Sequence, residues 1–598
     1  MKETYRSVSF LAMSSTSEDH QGWISDTELS SRFPYYTRAN ADEVGPDPFS
    51  PLGWSLGWAK GCIPGVAAGF ISFGVLEADE FAVDPPEVFG NWGGYFYNQL
   101  SLPRVMGCRM PGASPEAIDQ AYFGDHPGVP PYTAHPDDEN EAQTAKLEAT
   151  MGWAMSTDSY ADQDATAEMA KRVVAERPDF AAMADADLVA YGRRMASLVE
   201  EAWTTYCQTA LAVSLGPGAV QAICDAVDRG SDAVKLMAAI GNVESAEASF
   251  LMWDLSRLVA GSPALGAAFD DGVDGLLGRI ASSDDAGVAR FRDEFASLLE
   301  QHGHRGPNEW DMRPHSWTTK PELALGMIER LRFQDDSRSP HEAKAAAAAE
   351  RQRLSAEILA MVEGDEEAHG TLTAGLASAA LFYGLREKGK NSCIRLIHEA
   401  KLAFFELGRR LVQLGAIDDV QQVFMAVDSE LEALLADPMS MRDTLLQRDA
   451  DFATLHTLEP PYIVKYEEGV PPISEWAPRN SGEAATVTAG EVLQGGAGAP
   501  GAVTGVARVV LDPSDPSAIQ PGDIMVAPTT DPSWTPLFLS AAGVVVNVGA
   551  VASHAAIVCR ELGVPCAVSV VDATRRIPDG ATISIDGASG AVTIIELP

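Results

Sequence analysis

A strand, a loop and a helix follow one another near the C-terminus, and this run constrains the fold more than any other part of the sequence. Residues 543–548 are mostly valine and begin with glycine, which predicts a short buried strand. Ser553 is a favourable N-cap, residues 553–562 are good helix formers, and Gly563 predicts the helix end. His554 is therefore predicted in the first turn of a helix that follows a strand.

The first turn of a helix favours one kind of chemistry at His554. Its free N–H groups and the helix dipole stabilise an anion. They also disfavour the imidazolium, which leaves the neutral, nucleophilic imidazole. A phosphoryl group carried on His554 would be stabilised where it lies. On spacing alone, however, a histidine near a helix start is most often a capping or surface residue.

Two runs resemble the swivelling phosphohistidine domain of the phosphoenolpyruvate-utilising enzymes. Residues 549–565 contain its Ser-His-Ala-Ala core, with His554 at the phosphorylated position, and residues 531–537 match a second element in the right order. The resemblance implies that His554 carries phosphate between two distant sites. It also implies phosphate-binding roles for Ser553 and Thr535, and a small α/β (β/β/α) fold.

Composition and charge indicate a soluble protein with several domains. The chain has 598 residues, which is too long for a single ordinary hydrophobic core. Its hydrophobic content of 46% and charged content of 21% are typical of soluble globular proteins. Its net charge of −42 argues against binding to nucleic acids. Seven scattered cysteines without metal-ligand spacing indicate reduced thiols. The apolar run 63–76 is shorter than a membrane span and no signal peptide is visible, so we expect a cytoplasmic location without membrane contact.

Changes in composition divide the chain into four parts. Residues 1–34 are polar and aperiodic, which predicts an N-terminal extension. Residues 35–456 show apolar positions at helical spacing and predict a mostly α-helical domain, to which the resemblance assigns substrate binding. Residues 457–500 are rich in proline and glycine and predict a linker. Residues 501–598 predict the small α/β swivelling domain.

A glycine- and proline-containing turn at residues 302–311 supplies the first group of candidate site residues. Two histidines at i, i+2 are weak evidence for a metal site. The turn resembles the His-Arg-Gly-Pro turn of the rifampicin phosphotransferases, which implies active-site roles for His304, Arg305 and Glu309. The alternative is a structural turn in which Arg305 pairs with Glu309.

A basic cluster at residues 385–391 supplies the second group. Arg386 and Lys390 are four residues apart and would share one face of a helix, although Gly389 weakens the helix prediction. Paired cations are the usual clamp for a phosphoryl group in transfer. Composition alone favours a solvated helix end, whereas an Arg-Glu-X-X-Lys element in rifampicin phosphotransferases implies that Arg386 and Lys390 act in phosphoryl transfer.

An aromatic segment at residues 92–98 supplies the weakest candidates. Tyr97 and Asn98 have the polar groups to line a pocket for an organic substrate. The alternative is that the segment belongs to the core, as most such clusters do.

The resemblance extends over residues 35–598 but includes no ATP-grasp domain. We therefore expect the phosphohistidine-carrying, substrate-binding subunit of a dikinase-type phosphotransferase, as in phenylphosphate synthase. A separate ATP-grasp subunit would bind ATP and Mg²⁺ and phosphorylate His554, and a small alcohol or phenol would be the acceptor. His304, with a near-neutral pKa, would take the hydroxyl proton. The alternatives are an antibiotic-inactivating phosphotransferase and a non-catalytic binding or scaffold protein.

Overall fold

The computed structural model describes residues 23–24, 26–123, 128–241, 243–479, 487–511, 518–530, 534–549 and 553–598. These residues form a large, mostly helical region followed by a smaller region built on a sheet, as the sequence predicts. The helices of the first region are α1 (Ala41–Val44), α2 (Ile63–Phe73), α3 (Ser101–Arg109), α4 (Pro115–Phe123), α5 (Glu141–Ser156), α6 (Ala161–Ala175), α7 (Asp185–Ala212), α8 (Leu215–Ala226), α9 (Ala233–Leu236), α10 (Glu244–Gly261), α11 (Pro263–Asp270), α12 (Leu276–Ile280), α13 (Ala286–His302), α14 (Glu322–Leu331), α15 (Pro340–Met361), α16 (Glu366–Leu414), α17 (Leu431–Ala436) and α18 (Arg442–Leu455).

Helix α16 has 49 residues, and helices α6, α7 and α8 pack against it. It begins at Asp365, whose carboxylate accepts two backbone N–H groups, and ends at Gly415 in the left-handed conformation. Gly389 does not interrupt this helix, although a glycine at this position weakened the helix prediction from the sequence. A Cβ atom at Gly389 would lie 3.1 Å from the Tyr206 side chain of α7, so the glycine allows close approach of two helices.

A four-stranded antiparallel sheet covers one end of the helical region. Its strands are β1 (Tyr35–Thr37), β2 (Phe89–Trp92), β3 (Tyr95–Gln99) and β4 (Ile463–Lys465), in the order β2-β3-β1-β4. Residues 26–34 are part of this unit, because Phe33 is fully buried and the Trp92 indole N–H donates to the Thr27 carbonyl. The predicted N-terminal extension is therefore wrong for residues 26–34, whereas residues 1–22 lie outside the described part of the chain.

The C-terminal region is an eight-stranded sheet with three short helices. Its strands are β5 (Val492–Gln494), β6 (Gly496–Ala499), β7 (Ala502–Val509), β8 (Ile524–Ala527), β9 (Gly543–Val546), β10 (Cys566–Val568), β11 (Thr582–Asp586) and β12 (Ala591–Glu596), and its helices are α19 (Thr535–Ser540), α20 (His554–Leu562) and α21 (Ala573–Arg576). The strand order is β5-β12-β11-β7-β8-β9-β10-β6, with parallel pairing from β7 through β10. Because Gly495 alone separates β5 from β6, the two edges of the sheet come from one continuous segment.

The predicted linker 457–500 is wrong at both ends. Strand β4 pairs with β1 in the helical region, and β5 and β6 belong to the C-terminal sheet. Glycines in β6 make this pairing possible, because a Cβ atom at Gly498 would lie 2.6 Å from the Cys566 carbonyl oxygen. The glycine-rich composition predicted a flexible linker. In the structure, the glycines allow strand β6 to approach β10 closely.

Helix α20, which begins at His554, packs directly on the helical region. Ile557 belongs to the same hydrophobic core as the helical region. The Arg560 carbonyl accepts a hydrogen bond from the Ala239 N–H, and the Glu561 carboxylate lies 2.8 Å from the Lys344 ammonium. The C-terminal region is thus docked with its histidine-bearing helix against the helical region.

Two helical stretches, Gly53–Phe73 and Asp185–Ala226, are long and apolar enough to cross a membrane by length and composition alone. The first is longer than the apolar run 63–76 because a π-helical segment, Gly53–Cys62, precedes α2. Within the protein, 61% of the first apolar window and 39% of the second are buried. Core helices of soluble proteins pass the same test, so these stretches are weak evidence for a membrane segment.

Two glycines of α8 provide a matched test of helix packing against α16. A Cβ atom at Gly216 would lie 2.5 Å from the Ala379 backbone nitrogen, whereas one at Gly218 would meet no atom within 4 Å. We expect Gly216→Ala to lower the free energy of unfolding by about 1–3 kcal/mol through overpacking. Gly218→Ala should raise it by about 0.5–1 kcal/mol, because alanine favours the helix. Equal effects in urea-induced unfolding would contradict the packing.

Candidate active site

His554 occupies the first position of α20, and the cap expected from the sequence is present. The Ser553 hydroxyl accepts a hydrogen bond from the Ala556 N–H at 3.4 Å. The imidazole is only 6% exposed, and its Nδ1 lies 3.3 Å from the Thr530 hydroxyl at the end of β8. Thr535 begins α19, but its side chain lies outside the described part of the structure, as do residues 531–533.

Three cations of the helical region act on the His554 ring. Burial lowers the pKa of His554 well below its usual range, and Lys390, Arg305 and Arg386 lower it further. The ring is therefore neutral at pH 7, which is the nucleophilic form. The structure thus brings together four residues that the sequence suggested from three separate segments.

A buried carboxylate organises these cations. Glu309 lies 3.2 Å from the Arg305 guanidinium and 3.2 Å from the Lys390 ammonium, and its side chain is 1% exposed. Arg386 contacts the neighbouring Glu387 carboxylate at 2.7 Å. Glu309 and Glu387 thus offset part of the positive charge of these three cations. The Arg305–Glu309 pair expected for a structural turn is present, and Arg305 acts on His554 as well.

The turn that carries Arg305 and Glu309 is held in place by an earlier segment of the chain. The Asp311 carboxylate accepts hydrogen bonds from the Ser50 hydroxyl at 2.6 Å and from the Ser50 N–H at 3.1 Å. The Trp58 indole N–H donates to the Trp310 carbonyl at 3.2 Å. Ser50 and Trp58 therefore position the turn that carries Arg305 and Glu309.

A cavity of about 1100 Å³ opens between helices of the helical region, and His304, which precedes Arg305 in the chain, is part of its wall. His554 and the three cations are not among its lining residues. His302, His304, His398, Glu244 and Arg395 are among its lining residues. The ring centroids of neighbouring histidines are 6.4 Å apart in each case. Its size and its convergent polar groups are those of a small-molecule site.

A hydrogen-bonded chain fixes the tautomer of His304. The Asn391 amide nitrogen donates to the Glu244 carboxylate, which can only accept. The amide oxygen of Asn391 therefore faces His304, 2.6 Å from Nε2, and must accept the Nε2–H. The lone pair of His304 is consequently on Nδ1.

The near-neutral pKa expected for His304 is not observed. Burial lowers its pKa well below the usual range, and the charges of Arg305 and Arg395 lower it further. A histidine enclosed by protein and flanked by cations is neutral at pH 7, but it is a weak base as it stands.

Glu244 and Asn391 are the site residues that sequence reasoning missed. Asn391 is the last residue of the basic cluster 385–391, so the sequence indicated the segment but not the role of this residue. Glu244 begins α10, about 60 residues before His304, and nothing in its local sequence indicates the contact. Only the packing of α10 against α16 brings these groups together.

Tyr97 and Asn98 do not line the cavity. The Tyr97 hydroxyl donates to the Pro461 carbonyl at 2.8 Å, and the Asn98 amide donates to the Ala39 carbonyl at 3.2 Å. Both therefore support the four-stranded sheet, as the core alternative predicted. Within the described ranges, no group of three or more His, Cys, Asp or Glu side chains is placed to hold a metal ion.

Two family models match the parts of the chain that form this site. Residues 203–387 match the fourth domain of rifampicin phosphotransferase, and residues 519–590 match the mobile domain of the PEP-utilising enzymes. The first range contains the turn at 302–311 and Arg386, and the second contains His554.

Curated relatives are similar over longer ranges. An uncharacterised protein of Mycobacterium tuberculosis is 28% identical over 96% of this chain, which spans 63% of that relative. The rifampicin phosphotransferase of Bacillus subtilis is 27% identical over 54% of this chain and 36% of its own length. A prodigiosin-synthesizing transferase of Serratia marcescens is 27% identical over 60% of this chain and 40% of its own length. The predicted resemblance to PEP-utilising phosphotransferases is thereby confirmed.

The tautomer and charge of His304 are directly measurable. In ¹⁵N-histidine-labelled protein, we expect the His304 signals to show a protonated Nε2 and an unprotonated Nδ1. Because the pKa is lowered, they should keep these positions from about pH 7.5 to about pH 5.5. By the same linkage, this histidine reduces stability as the pH falls below about 6.5.

The signals are assigned by their loss in His304→Gln. Asn391→Leu removes the acceptor for Nε2–H and should mix the two tautomers. A protonated Nδ1 in the unsubstituted protein would contradict the hydrogen-bonded chain.

Proposed function

Because the chain carries the mobile domain of the PEP-utilising enzymes, we propose that it is the phosphohistidine-carrying, substrate-binding subunit of a phosphotransferase. His554 carries the phosphoryl group, and the cavity lined by His304 binds a small organic alcohol or phenol as the acceptor. The protein works in the cytoplasm, where ATP is available.

One observation carries this proposal: Arg305 and Lys390 are held together by Glu309, at 3.2 Å from each, and their charges and that of Arg386 act on the buried His554 ring. A phosphoryl group on His554 would bring about two negative charges close to these cations. Such cations stabilise the charge on the phosphoryl oxygens during transfer. A purely structural interface would gain nothing from placing three cations around a neutral histidine.

The transfer step follows from the tautomer of His554 that leaves Nε2 unprotonated. Nδ1–H then donates to the Thr530 hydroxyl. The Nε2 lone pair attacks the β-phosphorus of the donor ATP, the bond from that phosphorus to the oxygen shared with the α-phosphate breaks, and the electron pair leaves on AMP. Hydrolysis of the bond to the γ-phosphate releases inorganic phosphate and leaves one phosphoryl group on Nε2. During transfer to the acceptor, the Nε2–P bond breaks and a bond forms between phosphorus and the acceptor oxygen. The electron pair of the broken bond returns to Nε2.

His304 takes the acceptor's proton on Nδ1. The low pKa of His304 in the unphosphorylated protein argues against this role. One cause of that low pKa, however, is the charge of Arg305. Arg305 also acts on His554, so a phosphoryl group there offsets its charge. His304 therefore becomes more basic when phosphorylated His554 is docked, and the loose transition state of phosphoryl transfer demands little base strength beforehand.

The donor is ATP with Mg²⁺, bound by an ATP-grasp domain on a separate polypeptide. His554 is buried against the helical region, so receiving phosphate requires the C-terminal region to leave this docked position. The swivelling motion that the family resemblance implies supplies that movement.

The name of one relative, the rifampicin phosphotransferase of Bacillus subtilis, favours a second candidate, in which the acceptor hydroxyl belongs to an antibiotic. The chemistry is unchanged in this case, and rifampicin is the first such compound to test as an acceptor. A scaffold protein without turnover is the remaining alternative, and it predicts no phosphorylation.

Phosphorylation of His554 is the primary test. The protein is incubated with ATP labelled at the β-phosphate and with extract from its source, and intact mass and acid lability are measured. We expect one acid-labile phosphoryl group on the unsubstituted protein and none on His554→Ala. His369→Ala, which removes an exposed histidine, is the matched control and should remain phosphorylated. Equal labelling of His554→Ala would contradict the proposal.

Discharge of the phosphorylated protein tests the clamp separately. Lys390→Met should still become phosphorylated, because the donor site lies elsewhere, but it should transfer to an acceptor on the order of 10²-fold more slowly. Lys146→Met, at a half-exposed position on α5 outside the lining of the cavity, is the control. Rapid-quench measurement of phosphohistidine loss in the presence of phenol distinguishes the two variants.

A further inference from the structure

His302 is a buried histidine without a hydrogen-bond partner at the wall of the cavity. It is 1% exposed, and neither ring nitrogen has a partner among the described residues. Burial, with the charges of Arg305 and Arg395, lowers its pKa to about 3, so the ring is neutral and offers one N–H donor and one acceptor. Leaving both nitrogens of a buried ring unpaired is costly, which points to a ligand.

The surroundings of His302 select the chemistry of that ligand group. The Glu247 carboxylate, which also lines the cavity, lies 3.9 Å from His302 Nε2. A carboxylate or phosphate in contact with Nε2 would lie next to the Glu247 carboxylate. An ammonium group there would be disfavoured by Arg305 and Arg395, whose charges act on His302. A neutral group is therefore favoured, and a carbonyl oxygen could only accept. A hydroxyl group both donates and accepts, so it can bond the imidazole and Glu247 together.

The position of His302 relates this group to the reacting one. Its ring centroid lies 6.4 Å from that of His304, whose Nδ1 lone pair we assign to the reacting hydroxyl. One small molecule can reach both rings if its two hydroxyl groups are a few ångströms apart. A compound with a single hydroxyl would leave one of the two histidines unpaired.

We propose that His302 and Glu247 form a subsite for a second hydroxyl group, and that the acceptor is a diol or polyhydroxylated compound. This assignment rests on the proposed function for the identity of the reacting hydroxyl. The binding of a diol in the cavity does not depend on phosphoryl transfer.

Binding of phenol, catechol and resorcinol to the unphosphorylated protein tests the subsite. Dissociation constants are measured by saturation-transfer NMR on the full chain. We expect at least one of the two diols to bind about tenfold more tightly than phenol, as one added hydrogen-bonded group allows. In His302→Phe, which keeps a flat ring but loses both nitrogens, this preference should fall to about one while phenol binding is retained.

Two further variants keep the test decisive. Glu247→Met alters a side chain that is 60% exposed, so it should fold, and it should also weaken the diol preference. His369→Phe, the same substitution at an exposed position, should leave the preference unchanged.

Equal affinity for phenol and both diols, a preference that survives in His302→Phe, or no binding of any of the three at millimolar concentration would overturn the subsite. If the diols bind as expected but no phosphoryl group is ever transferred, the subsite stands and the proposed function fails.

Discussion

The site depends on one buried carboxylate. Glu309 allows Arg305 and Lys390 to lie on the same side of the interface, because without it two desolvated cations would repel each other. The carboxylate offsets only part of their charge. The remainder faces His554, so the same arrangement that lets the helical region fold also makes the place where α20 docks attractive to an anion.

The local sequence around His554 was sufficient to predict its local structure. Ser553 caps α20, His554 stands in the first turn, and Gly563 ends the helix in the left-handed conformation. Each of these features is decided by residues within one or two turns, which is why composition and spacing were enough. The four-residue spacing of Arg386 and Lys390 also predicted that they share a helix face, but Gly389 weakened that prediction and composition alone favoured a solvated helix end.

Features that depend on distant contacts were not predictable from the sequence. From the sequence, Gly389 was interpreted as a residue that weakens a helix, and Gly498 as part of a linker. In the structure, each glycine lets another segment of the chain approach closely. The acidity of His304 follows from burial and from Arg305, neither of which its spacing reveals. Tyr97 had the right chemistry for a pocket, and only the structure shows that its hydroxyl is already used by Pro461.

Burial of His554 has a consequence for the lifetime of a phosphohistidine. The phosphorus–nitrogen bond is hydrolysed only when water reaches it. At 6% exposure, the docked ring is shielded from water. If His554 carries phosphate as proposed, loss of phosphate to solvent would occur mainly while the domain travels between its two sites, and the time in transit would set the proportion of ATP consumed without transfer.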